Sequence, residues 1–192
     1  MAEMKIEPGR TRRGRLSAFI RDKKGVTAVE FALIAAPFLA LLVAIIQTFL
    51  VFFAQELLES AVMQASRQIM TGQTQAQTSG QSNAVAMAAF HQTVCNNVSV
   101  LFNCTGLMVD VEVATSWSAA NTAAPVLTYN GSGQVTNAWQ FNPGNAGDIV
   151  IVKVIYLWPV FLGPLGFNLS NQANGTRMIM ASAAFQNEPA NP

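Results

Sequence analysis

The hydrophobic pattern of the chain changes sharply at residue 31, where a long apolar run begins. From residue 31 to residue 53 the polar side chains are Gln47 and Thr48 alone. Because a helix rises about 1.5 Å per residue, this run covers roughly 35 Å, enough to cross a hydrocarbon core of about 30 Å. It is also longer than the roughly 7–15 apolar residues of a secretory signal. The pattern therefore predicts a transmembrane helix, and Pro37 is expected to kink it near its start.

The same helix is predicted to continue past the apolar run. Between residues 55 and 70, apolar side chains recur at positions 58, 61, 62, 65 and 69, which is helical spacing. Thr71 and Gly72 then supply a stop, so the prediction is one helix of about 45 residues. Its amphipathic end packs either on its own domain alone or also on copies of itself or relatives. The small side chains of Ala61 and Ala65 would permit such close approach.

The second half of the chain shows the pattern of short strands. In residues 107–115, valines at every second position alternate with Asp110 and Glu112, which predicts a strand with one apolar face and one solvated face. Residues 148–158 are largely apolar on both faces, which predicts a central strand. Residues 177–185 predict a final strand.

The segments between these elements are polar or rich in Gly and Pro. Residues 73–83 predict a linker or loop, residues 84–94 a short helix, residues 118–147 loops around a hairpin, and residues 159–166 a turn. The fold class is α+β, with a long N-terminal helix followed by a small, mostly antiparallel sheet. The expected divisions are a basic leader at 1–25, the long helix at 26–72, a domain at 73–187 and a tail at 188–192.

Charge is distributed unevenly along the chain. Residues 1–25 contain eight Lys or Arg and three acids, whereas the remaining residues contain three Lys or Arg and seven acids. Basic residues beside a membrane span tend to stay in the cytoplasm, so the leader is predicted to be cytoplasmic and the domain extracytoplasmic. A nucleic-acid-binding arm is the competing interpretation, but the segment lacks interleaved aromatic residues and any nucleic-acid-binding motif. We expect no nucleic-acid partner.

Cys95 and Cys104 are the two cysteines of the chain. Both fall in the part predicted to lie outside the cytoplasm, where disulfides persist, so a bridge closing a short loop is expected. The alternative is two buried free thiols. Their spacing is not C-x-x-C, and two cysteines alone do not make a zinc site, so no metal is predicted.

Three other residues have side chains able to act in chemistry. His91 is the single histidine, and no catalytic motif surrounds it. Asp110 and Glu112 share one strand face, where two carboxylates can transfer protons or bind calcium but more commonly form a solvated face. No Gly-rich phosphate-binding loop is present. The sequence therefore predicts neither catalysis nor a cofactor.

One acid lies at the mouth of the membrane segment. Residues 21–31 read R-D-K-K-G-V-T-A-V-E-F, so Glu30 stands just inside the span, where an unpaired carboxylate is costly. This junction resembles the processing site of type IV prepilin-like proteins. With Pro37 and a looser similarity through residues 57–72, it is more narrowly similar to the TadE-like pseudopilins of tight-adherence (Flp/Tad) pilus systems.

The resemblance implies a pilin-like fold and cleavage by a prepilin peptidase between Gly25 and Val26. Cleavage would place a new ammonium on Val26, one helical turn before Glu30. The resemblance therefore implies that Glu30 and Phe31 form an assembly contact, in which the carboxylate pairs with the ammonium of a neighbouring subunit. Relatives often carry a second acid within the span, where this chain has Gln47.

The expected function is that of a minor pilin-like subunit, because major pilins of these systems are far shorter. Its implied partners are the prepilin peptidase, other pilin and pseudopilin subunits, the pilus assembly platform and the lipid bilayer. It would reside in the bacterial inner membrane with a periplasmic domain and help to assemble an adhesive pilus. Two rivals are an uncleaved membrane scaffold of a secretion machine and a membrane-tethered periplasmic enzyme.

Overall fold

The computed structural model of the chain describes residues 25–161, 163 and 166–189. The predicted leader, apart from Gly25, and the last residues of the predicted tail lie outside the described residues. The elements in chain order are helices α1 (Val26–Met70), α2 (Gln73–Gln77) and α3 (Asn83–Val98), followed by strands β1 (Met108–Ala114), β2 (Ile149–Pro159) and β3 (Thr176–Gln186).

Helix α1 is a single helix of 45 residues, as its apolar pattern predicts. The first half is exposed along its length, whereas buried side chains begin at Val51 and recur with helical spacing to Ile69. The helix ends where Thr71 and Gly72 were expected to stop it. Gly72 adopts a positive φ of 74°, which glycine reaches without a steric penalty.

The three strands form one antiparallel sheet in the order β1-β2-β3. Val152 at the centre of β2 pairs with Val111 of β1 on one side and with Ala183 of β3 on the other. The predicted central strand, its two neighbours and the α+β fold class are therefore confirmed. The strands begin and end within one residue of their expected bounds.

The main core lies between one face of this sheet and two helices. The second half of α1 contributes Leu58, Ala61 and Ile69, and α3 contributes Phe90 and Val94, all almost completely buried. The strands contribute the alternating side chains of the facing surface. They are Val109, Val111, Val150, Val152, Val154, Tyr156, Ile179 and Ala181. The amphipathic end of α1 thus packs on its own domain.

The opposite face of the sheet is covered over much of β1 and β2, contrary to the expected solvated face of β1, whereas Ser182 and Ala184 of β3 stay exposed. Asp110 retains 8% of its exposure and Lys153 retains 6%. Segment 140–142 runs beside β1, where Val111 donates a hydrogen bond to the carbonyl of Gln140 at 2.9 Å and accepts one from Asn142 at 2.9 Å. The same segment follows the expected hairpin, whose strands meet at the Tyr129–Val135 bridge. The prediction was wrong for Asp110, because the segment that binds its carboxylate lies about 30 residues away in sequence. The Glu112 side chain stays 40% exposed.

Two connections also differ from their prediction. Residues 73–83, expected as a linker, begin with the five-residue helix α2, in which Thr74 is buried. Helix α3 extends to Val98 and so carries Cys95. Near the C-terminus, the amide of Glu188 donates to the carbonyl of Met70 at 2.8 Å. The last described residues are thereby joined to the end of α1.

Candidate processing and assembly site

The start of α1 coincides with the junction singled out from the sequence. Helix geometry begins at Val26, and Gly25 directly precedes it with φ of −97°. A Cβ added at Gly25 would meet no atom of a described residue within 4 Å. Within the described part of the chain, no side chain caps this end, and the first turn carries no acid. The first amide groups of α1 carry partial positive charge.

Glu30 and Phe31 lie on an exposed stretch of α1. Glu30 is exposed, and Phe31 keeps 74% of its surface accessible. Large apolar side chains remain exposed along the helix from Val26 through Leu50. The domain of the same chain therefore leaves most of this half of α1 to other contacts. Pro37 lies inside α1, and its expected kink remains a prediction.

Gln47 and Thr48, the two polar residues of the apolar segment, differ in their hydrogen bonding. The Thr48 hydroxyl donates to the carbonyl of Ala44 at 2.8 Å, within the same helix. This bond makes a hydroxyl tolerable in an apolar medium. In the described part of the chain, the Gln47 Oε1 atom is buried and has no hydrogen-bond partner. Gln47 adjoins Trp158 and Phe161 in a cleft between α1 and the sheet domain.

Cys95 and Cys104 form a disulfide, with their Cα atoms 5.4 Å apart. The bridge joins the last turn of α3 to the single 3₁₀ turn Cys104–Gly106 that precedes β1. The expected bridge is therefore confirmed, and the alternative of two free thiols is excluded. Such a bond persists in an oxidising compartment.

The structure brings Asp110 and Glu112 together with Lys153, a set that we call the carboxylate–lysine cluster. Lys153 lies opposite Asp110 in the strand register, and its Nζ atom is 3.5 Å from Glu112 Oε1. The backbone amide of Gln140 donates to Asp110 Oδ1 at 3.0 Å. Sequence analysis missed the role of Lys153, although a single cation in an apolar strand, opposite two acids, was an available signal.

The environment of the cluster raises the pKa of Glu112 above its usual value. The first cause is hydrogen bonding with Asp110, which a protonated Glu112 can sustain as donor. Partial burial and repulsion from the Asp110 charge act in the same direction, whereas Lys153 opposes them. This arrangement resembles a partly buried structural ion pair more than a catalytic centre.

His91 does not join the carboxylates. It lies on α3, which packs on the helix-covered face of the sheet, whereas Asp110 and Glu112 project from the opposite face. The convergence that a membrane-tethered enzyme would require is therefore not observed. Among residues 25–161, 163 and 166–189, no group of three or more His, Cys, Asp or Glu is placed to hold a metal.

Comparison with known families bears directly on the exposed half of α1. Residues 25–67 match the TadE-like protein family. The match begins at the glycine before α1 and ends three residues before the helix does. No curated protein and no solved structure matches the chain.

The TadE-like match supports a protein associated with the Tad pilus and with other pilus subunits. This family is a structural component of the pilus rather than an enzyme family. Helix α1 is long and apolar enough to span a membrane, and its most apolar window is not buried against the domain. These features are consistent with a membrane-anchored pilus protein.

Proposed function

We propose that the chain is a minor pilin-like subunit that a prepilin peptidase cleaves between Gly25 and Val26, and that it supports assembly of a Tad/Flp-type adhesive pilus. The observation that carries this proposal is the exposed first half of α1, which begins at the residue that cleavage would free. A helix that presents large apolar side chains over 25 residues needs lipid or neighbouring helices around it.

The charges at the start of α1 suggest how subunits would associate. A new ammonium on Val26 would lie at the positive end of the helix dipole, which disfavours it. Glu30, one turn away and exposed, offers a compensating carboxylate to the Val26 ammonium of a neighbouring subunit. Pairing lowers the cost of holding both charges at the membrane boundary. Glu30 and Phe31 would therefore form the assembly contact.

Topology and compartment follow from the same proposal. The basic leader would stay in the cytoplasm and the sheet domain would lie in the periplasm, with α1 crossing the inner membrane. The Cys95–Cys104 disulfide supports a periplasmic domain, since such bonds rarely persist in the cytosol. The peptidase, other pilin subunits and the assembly platform would be its partners, and the subunit would lie at the tip or base of the pilus.

Replacement of Glu30 tests the assembly contact. We expect Glu30→Ala to insert normally into the membrane but to reduce the number of pili severalfold, because the Val26 ammonium loses its partner. Pili are counted by electron microscopy, and insertion is checked by membrane fractionation. Glu56→Ala is the matched control, since Glu56 is an exposed acid of α1 beyond the apolar segment. Normal piliation in Glu30→Ala would refute the pairing.

A further inference from the structure

The connection between β2 and β3 begins with an apolar stretch, and described residues of this stretch lie beside the membrane-spanning part of α1. Residues 160–169 contain no charged residue and one polar side chain, that of Asn168. We call the described residues among them, 160, 161, 163 and 166–169, the apolar loop. Phe161 keeps 74% of its surface exposed. A loop on a water-facing surface usually carries polar residues, so this composition needs another explanation.

The loop shares two clefts with α1. In the first, Gln47, Leu50 and Val51 of α1 face Phe161 and Leu169. In the second, the walls come from Phe167 and from α1 residues Ala44, Ile45, Thr48, Phe49 and Phe52. The exposed surface of the loop is therefore continuous with the lipid-facing surface of the helix.

The height of these contacts along α1 places the loop inside the bilayer. If the hydrocarbon core begins at Phe31, about 20 helical residues cross it and the far boundary falls near Val51. Because the loop shares clefts with α1 residues 44 to 52, it would reach about 10 Å below that boundary. Interfacial amphipathic elements insert to a depth of about 5–10 Å.

The base of the loop carries the residue types that favour a membrane interface. Trp158 and Arg177 are register partners at the ends of β2 and β3. The Arg177 Nη1 atom donates to the carbonyl of Leu169 at 3.1 Å, which holds the guanidinium beside the loop. Tryptophan favours the headgroup region, and arginine pairs with lipid phosphates from that level.

The backbone of the loop is partly satisfied internally. The Gly163 amide donates to the carbonyl of Phe167 at 2.8 Å. A Cβ at Gly163 would lie 3.0 Å from that carbonyl oxygen, so glycine suits this close approach. Internal hydrogen bonding lowers the cost of placing backbone among lipids.

We propose that the apolar loop inserts into the outer leaflet of the membrane that α1 spans, so that the sheet domain is held against the bilayer at two points. This inference rests on the membrane-anchored function proposed above. The occupant of the exposed surface is lipid. If the exposed surface of the apolar loop stayed free of lipid, whether open to water or covered by a second subunit, this proposal would be wrong.

Depth-dependent quenching tests the proposal in the full chain. Because Cys95 and Cys104 are bonded, a new cysteine is the free thiol that a nitrobenzoxadiazole fluorophore labels. Labels at Phe161→Cys, Val126→Cys and Phe49→Cys are compared in vesicles of zwitterionic and anionic phospholipid that carry a nitroxide high on the acyl chain. Val126 is the matched control, since it is 86% exposed on the hairpin. Far-UV circular dichroism confirms that each variant is folded.

We expect strong quenching of the label at position 161 and little at position 126. A label at Phe167→Cys should repeat the result, which guards against a local effect of the first substitution. If position 49 is quenched and positions 161 and 167 are quenched no more than position 126, the loop does not insert, while the anchored function stands. If position 49 is not quenched either, both the insertion and the membrane anchoring are refuted.

Discussion

Single residues of the carboxylate–lysine cluster link stability to pH. Asp110 and Lys153 are both buried, whereas the Glu112 side chain is 40% exposed. Lys153 offsets two carboxylates that would otherwise repel each other within a covered sheet face. The cluster therefore stabilises the packing of segment 140–142 on β1, and its charge balance depends on the protonation of Glu112.

Replacement of Glu112 by glutamine should flatten the dependence of stability on pH. The folded-state pKa of Glu112 is raised above its ordinary value of 4.5. Its contribution to stability is therefore fully present below the unfolded pKa and is lost as pH rises through the folded pKa. As the pH rises from 4.5 to neutrality, we expect the free energy of unfolding to fall less in Glu112→Gln than in the unmodified chain. The difference should stay below about 1 kcal/mol because the group is partly exposed.

Thermal unfolding of both chains in detergent at the two pH values measures this difference. Glu56→Gln serves as the control, because Glu56 is an exposed acid outside the cluster. If stability depended on pH in the same way in Glu112→Gln and in the unmodified chain, the raised pKa of Glu112 would be contradicted.

The same residues show what a sequence pattern can and cannot predict. The alternation in β1 correctly indicated that Val109 and Val111 face the core, because a strand has a fixed period of two. It could not indicate that Asp110 is buried, since the cover is supplied by a distant segment without strong periodicity. For the same reason, the pattern could not indicate the ion pair between Lys153 and Glu112, which depends on the pairing of β1 with β2.

At the level of elements, α1 divides into two halves with different surroundings. The boundary falls at Val51, where buried side chains begin. The sequence predicted the length of the helix, its apolar first part and its amphipathic second part, because apolar runs and helical spacing are local signals. It left open what the second half packs against, and the structure shows that this is the chain's own sheet and α3.

Two truncations on the second half of α1 should separate its packed face from its free face. Leu58 is completely buried, and Met63, five residues away, keeps 62% of its surface exposed. We expect Leu58→Ala to lower the free energy of unfolding by about 3 kcal/mol, since it leaves a cavity. Met63→Ala should change it by less than about 0.5 kcal/mol. Urea unfolding of the full chain in detergent, followed by tryptophan fluorescence, gives both values, and equal losses would contradict the packing described.

At the level of the whole molecule, one helix joins two environments. Its first half is exposed and apolar, and its second half forms the base of a disulfide-bonded sheet domain. The TadE-like match spans both halves and begins at Gly25. The sequence could indicate this organisation because the span, the flanking charges and the junction are all local. Which chains surround the first half depends on partners, and a single sequence does not encode their identity.

The mature N-terminus of the chain tests the central claim most directly. Membrane-extracted protein is analysed by mass spectrometry from cells with and without an active prepilin peptidase. The control is Gly25→Leu, a substitution whose Cβ would meet no atom of a described residue within 4 Å, so its effect reports on cleavage rather than on folding. We predict a mature chain that begins at Val26 when the peptidase is active, and a retained leader without the peptidase or in Gly25→Leu. A retained leader in the unmodified chain beside an active peptidase would contradict the account.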